Sequence, residues 1–174
     1  GGLADKLTAA ANIHVVDVSA DALSLLAKRF GVSKKSEKIA ALIEAQRGLD
    51  LDAHYLGYFE CFNRERYYEA HDVLEELWLA EGKTGANYGF YKGLIQLAGA
   101  FVHLQKNRLG PAVTLFNLAE SYLRPYLVHH QRLDLNQVVI LIQDWRGHVL
   151  NNRSEQNLLH QHSPPKLCLS HTGA

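Results

Sequence analysis

The sequence predicts an all-α protein: a compact bundle of about five helices with a small N-terminal appendage, either strand-helix-helix or helical. Two observations carry this. From Leu49 to Asn151 apolar residues recur at three- and four-residue spacing, the period of one helix face. Helix start and stop residues then divide that stretch into five segments. An apolar content of 47% in 174 residues is enough for a core. The expected organisation is an appendage over 1–48, a helical bundle over 49–150 and a C-terminal tail over 151–174.

In the appendage, the β-branched run from Ile13 to Val18 predicts a short strand. Ser19 opens a helix carrying Leu23, Leu26, Ala27 and Phe30, and Gly31 ends it. Ser33 opens a second, with Ile39, Leu42 and Ile43 inward and a stop near Gly48.

The first bundle helix carries Tyr55, Phe59 and Phe62, and Asn63 is placed to cap the next. That second helix runs to about Glu81, with Tyr67, Ala70, His71, Leu74, Leu77 and Trp78 inward. Glu65, Glu69, Asp72 and Glu76 form its outer acidic stripe. Two glycines mark Gly82–Asn87 as a loop. The third helix spans about Tyr88 to Gln105 and carries Gly89, Gly93 and Gly99, each costing about 1 kcal/mol against alanine in a helix interior. Gly89, Gly93 and Ala100 share one face, which is expected to be the contact surface for the second helix. Gly110-Pro111 starts a fourth helix, with Ala112, Leu115, Phe116, Ala119 and Tyr122 inward and Pro125 near its end. Asp134 and Gln137 make a capping-box pattern for a fifth, carrying Val138, Leu141, Ile142, Trp145 and Val149. Beyond it, Pro164-Pro165 and scattered histidines read as tail.

Composition narrows the function. Lys+Arg and Asp+Glu both number 18, so formal charge balances at zero, and the strong basic footprint of a nucleic-acid binder is absent. No run of about 18 apolar residues predicts a membrane span. Cys61 and Cys168 are too far apart to pair as metal ligands, and with no leader visible the expected setting is cytoplasmic, with reduced thiols. Methionine is absent even at position 1, so the N-terminus reads as processed, with Gly1-Gly2 a cloning remnant.

The candidate site lies on the second bundle helix. His71 and Glu75 are four apart and share a face, and Trp78 follows on the same side. If the second and third helices pack antiparallel, as a short loop demands, Gln96 and His103 can face them, with Tyr91 presenting a hydroxyl nearby. A carboxylate beside an imidazole fixes its tautomer and raises its basicity. The candidate binding residues are therefore His71, Glu75, Trp78, Tyr91, Gln96 and His103. His71 and Glu75 are the candidates for catalysis, and His71, Glu75 and His103 for metal coordination, although no HExxH or paired ExxH repeat is present. The same residues also suit a buried network that satisfies its own donors and acceptors and fixes helix register.

Phe62-Asn63-Arg64, then Tyr68-Glu69-Ala70-His71-Asp72-Val73-Leu74-Glu75-Glu76-Leu77-Trp78, then Phe90-Tyr91-Lys92-Gly93-Leu94-Ile95-Gln96-Leu97-Ala98 and His103, resemble domain-of-unknown-function family 309, found in bacteria and archaea. The likeness covers about residues 52–125. Asp72 replaces the usual glutamate of that family, and Lys92 stands where glutamine is frequent. The resemblance implies a compact all-helical domain and no activity. More weakly, residues 13–48 resemble the ribbon-helix-helix layout of dimeric DNA-binding proteins, with Lys34, Lys35 and Lys38 where that fold meets phosphates. The strand argues against it, since neither face offers side chains that read base edges.

The leading expectation is thus a helical module that binds an unknown small molecule or protein. Its core is a buried His71–Glu75–Gln96–His103 network, no membrane or nucleic acid is involved, and the N-terminal section serves as a homodimerisation element. A hydrolytic or metal-dependent enzyme is the alternative, and DNA binding through the N-terminal section a further one. The sequence names no cofactor.

Overall fold

The computed structural model describes residues 34–171. The strand and first helix expected over residues 13–30 lie outside them. The chain divides into two units, Gly1–Ala41 and Leu42–Ala174. Helix α1 spans Lys34–Gln46, with Ile39 and Ile43 buried and Gly48 in the left-handed region just past its end (φ 81°). The second unit contains α2 (Ala53–Asn63), α3 (Tyr67–Glu81), α4 (Tyr88–Gln105) and α5 (Leu109–Leu123), followed by a 3-10 turn (Arg124–Tyr126). A two-stranded hairpin, β1 (His129–His130) and β2 (Leu133–Asp134), leads into α6 (Leu135–Asn151) and the short α7 (Leu158–Gln161). The all-α expectation holds. Among the described residues no helix is long and apolar enough to cross a membrane.

Local chemistry sets the helix ends. Asp52 caps α2 by accepting from the His54 amide at 2.7 Å. Asp134 caps α6 through Oδ1, which accepts from the amides of Asn136 (2.9 Å) and Gln137 (3.3 Å). Between α2 and α3 the chain reverses in three residues: the Cys61 carbonyl accepts from the amides of Arg64 and Arg66, and Glu65 takes a left-handed conformation (φ 60°). Asn63 does not cap α3 as its sequence position suggests. The cap position is Arg66, which makes no side-chain bond there, and the Asn63 amide is turned to Leu167 instead.

The core centres on Phe101. Its ring lies 4.9 Å from Tyr67 of α3, 5.4 Å from both Phe62 of α2 and Phe116 of α5, and 5.1 Å from Trp145 of α6. Four helices therefore meet at one aromatic ring, mostly edge to face, the geometry favoured by the ring quadrupole. Each fully buried side chain of this size contributes on the order of 2–3 kcal/mol.

The glycine face of α4 meets α5, not α3, which corrects the expectation from sequence. A Cβ on Gly93 would lie 2.6 Å from Leu123 Cγ and 3.2 Å from Tyr122 Cβ; one on Gly99 would lie 3.0 Å from Leu115 Cδ1, and one on Gly89 3.0 Å from the Tyr126 hydroxyl. Toward α3 the same helix presents large rings, pairing Phe101 with Tyr67 and Tyr88 with Trp78. Small residues set how closely a neighbour approaches, and α5 is the neighbour whose backbone comes near.

The segment read as a tail contributes to the core. Leu158 and Leu167 are buried, the Asn157 side chain donates to the Leu104 carbonyl (2.8 Å), and Leu169 bridges to Leu133.

Candidate functional site

Helix α3 positions the candidate side chains. The turn through Arg64–Arg66 starts it, and Tyr67, Ala70, Val73 and Leu74 bury one face. His71, Asp72 and Glu75 fall beside that face and are half-buried. His71 Nδ1 lies 3.3 Å from Asp72 Oδ1, with the two side chains 33% and 18% exposed. One ligand atom from each of His71, Asp72 and Glu75 falls within 4.8 Å of the others. Asp72, read from spacing as part of the outer acidic stripe, thus belongs to the group. Adjacent residues on a helix point about 100° apart, and the side chains of His71 and Asp72 bend together across that gap. Farther out on the same helix, Glu76 Oε2 lies 3.1 Å from His54 Nε2, whose Nδ1 is 3.2 Å from Asp52 Oδ1, tying α2 to α3.

The other candidates make contacts of their own. Trp78 is half-buried, its ring lies tilted against Tyr88 at 5.2 Å, and its buried Nε1 has no hydrogen-bond partner among the described residues. Tyr91 is buried; its hydroxyl accepts from Gln131 Nε2 at 2.9 Å, and burial pushes its pKa up. Gln96 is half-buried on α4. The Nδ1 of His103 is buried and unpartnered among the described residues, and burial, with Arg108 and Lys106 nearby, holds its pKa below the ordinary value. No hydrogen bond joins His71, Glu75, Gln96 and His103 to one another, so the expected self-satisfied network does not form. His103 is not in the group with His71 and Glu75. Cys61, expected to be packing, is buried, and its thiol is pushed up to about 11 by burial, which keeps it protonated and unreactive.

Two features escaped the sequence reading. The buried Glu120 carboxylate of α5 accepts from Arg124 and, at 3.1 Å and 2.9 Å, from Gln143 and Arg146 of α6. Burial raises its pKa, but the Gln143 hydrogen bond and the two guanidinium charges outweigh that and lower it. A groove of about 550 Å³ also runs between α6 and residues 162–168, lined by Asp144, Trp145, His148, His162 and Lys166 among others. The His148 and His162 rings stack there at 3.7 Å. None of the candidate residues of α3 and α4 lines it.

Fold and site define an all-helical domain with a half-buried polar group on its third described helix. Residues 55–115 match the family described as domain of unknown function (DUF309). The match contains the whole of α3 and α4, and bears out the resemblance read from their motifs. No curated protein and no solved structure matches the chain.

Proposed function

We propose that this protein is a binding module whose α3 holds a divalent transition-metal ion through His71, Asp72 and Glu75. One observation carries the reading: a histidine nitrogen and two carboxylate oxygens lie within 4.8 Å of one another, all half-buried. A neutral imidazole and two carboxylates are a donor set that suits zinc and its neighbours in the first transition row. Partial burial strengthens each ion–ligand interaction over its value in water. Three protein ligands leave a coordination position open, so the ion can carry a small anionic or neutral ligand into the protein. Trp78, two turns along from His71, offers that ligand an apolar neighbour. Tyr91, Gln96 and His103 take no part in the coordination.

Titrating metal-free full-length protein with Zn²⁺ in a calorimeter tests this. The expected result is one ion per chain, lost in His71→Ala and weakened at least about tenfold in Glu75→Gln, since changing even a group that only supports a ligand costs about that much, with far-UV circular dichroism unchanged. Absence of saturable binding, or equal binding by wild type and His71→Ala, overturns the reading.

A further inference from the structure

A second cluster, independent of the metal reading, lies where α3, α4 and α5 meet. The Lys92 ammonium stands 5.1 Å from the Trp78 ring, 5.3 Å from Tyr122 and 5.7 Å from Tyr88. All three distances fall inside the roughly 6 Å within which a cation is attracted to a ring face. The walls come from three helices: Trp78 from α3, Tyr88 from α4, Tyr122 from α5. All four side chains are half-buried. Among the described residues no carboxylate lies within ion-pair distance of Lys92, so apart from solvent its charge is met by aromatic faces.

We propose that these rings form a cage for a small quaternary ammonium compound, and that Lys92 is its tethered plug. A primary ammonium is a compact, strongly hydrated charge on a flexible four-carbon stem, and it gives up much of its hydration to enter such a cage. A quaternary ammonium is larger and weakly hydrated, and it presents methyl groups to all three ring faces. Aromatic cages recognise that chemistry. Lys92 holds its position because it is attached: its effective concentration at the cage is about millimolar or higher, with no loss of translational freedom on entry. A free ligand competes with it by displacing the stem toward solvent. Wild-type affinity is therefore weak, and the cage's own preference appears once the plug is removed.

The test uses full-length protein labelled with ¹⁵N, the Trp78 indole N–H as reporter and choline as probe. The Trp78 signal is told from that of Trp145, the other tryptophan, by a Trp78→Phe spectrum. In Lys92→Gln, choline is expected to shift the Trp78 signal saturably, with a Kd at least about tenfold below that of wild type. In Lys92→Arg, which keeps a cation in place, binding stays as weak as in wild type. The neutral carbon isostere 3,3-dimethyl-1-butanol binds Lys92→Gln at least about fivefold more weakly than choline, since the ring attraction is to charge. Adding Tyr122→Leu to Lys92→Gln weakens choline by a similar factor. No saturable shift in Lys92→Gln, equal binding of choline and its isostere, or tight binding in Lys92→Arg each overturns the proposal.

Discussion

Asn63 holds Leu167 as a neighbouring strand would. Its Nδ2 donates to the Leu167 carbonyl at 2.8 Å and its Oδ1 accepts from the Leu167 amide at 2.7 Å. The Asn63 carbonyl accepts from the Lys166 ammonium beside them. One side-chain amide thus satisfies both backbone groups of a buried residue 104 positions away.

Asn63→Ala is expected to release this segment without unfolding the helices. Two hydrogen bonds at a half-buried site are worth roughly 1–3 kcal/mol together, including the cost of the backbone groups left unpaired. Amide exchange at Leu167 should rise by a factor of about 10 or more, while amides of α3 and α4 keep their protection. Unchanged exchange at Leu167 would show that its apolar side chain alone docks the segment.

Gly93→Ala and Gly147→Ala should have opposite signs. Both add a Cβ to a helix, and alanine is favoured over glycine by about 1 kcal/mol. At Gly147 nothing lies within 4 Å of the new atom, so a gain of about 0.5–1 kcal/mol is expected. At Gly93 the Cβ meets Leu123 Cγ at 2.6 Å and Cδ2 at 2.8 Å, and α5 must shift. Overpacking of this kind costs roughly 1–3 kcal/mol. Urea unfolding of the two variants decides it; stabilisation by Gly93→Ala would mean that the α4–α5 seam is looser than described.

Glu120→Ala should cost more than removing either of its arginines. Glu120 is buried at 7% exposure and accepts from Arg124 in the 3-10 turn and from Gln143 and Arg146 of α6. Its loss leaves Arg146 with Asn117 as a partner but no counter-charge, at a cost of roughly 1.5–3 kcal/mol, the range for a hydrogen bond to a charged group. Arg124 is more than half exposed, so Arg124→Ala should cost less than about 1 kcal/mol. Equal effects in chemical denaturation would show that the α5–α6 contact does not depend on this carboxylate.

Acid should weaken the fold in two stages. Burial lowers the pKa of His103, His130 and His162, with His148 adding to the effect at His162. Each then binds fewer protons folded than unfolded, so its contribution is complete above the ordinary value of 6.5 and is lost as pH falls through the folded values. Glu120 is shifted down as a carboxylate, so its contribution is present above 4.5 and lost below it. Unfolding free energies at pH 7.5, 5.5 and 4 should therefore descend in order, and His162→Gln should flatten the first step. Greater stability at pH 5.5 than at 7.5 would contradict the burial of these rings.

The elements that were legible in the sequence are those whose signals are local. Asp134 announces α6 because a cap acts on amides two and three residues away, and Gly82 and Asn87 bracket the loop where α3 ends and α4 begins. The long motif of α3 and α4 likewise placed the family. Distant partners were not legible. Gly93 shows that something comes close but not that it is Leu123, and nothing in spacing pairs Asn63 with Leu167. At the candidate site, helical periodicity groups His71 with Glu75 and sends Asp72 outward, because it counts Cα directions and not the reach of side chains. Trp78, Tyr88, Lys92 and Tyr122 come together only once three helices are packed.

The hairpin loop at Gln131 and Arg132 has a wider consequence. Both residues sit at positive φ (43° and 64°), which non-glycine residues rarely adopt. The Gln131 carbonyl accepts from the Tyr55 hydroxyl of α2, its side chain donates to Tyr91 of α4, and Arg132 exchanges bonds with Ser170 and pairs with Asp50. Two adjacent residues therefore touch four separate parts of the chain. A spectroscopic probe at that single loop would sense a disturbance arriving from any of them, making it the natural listening post for ligands that act elsewhere on the molecule.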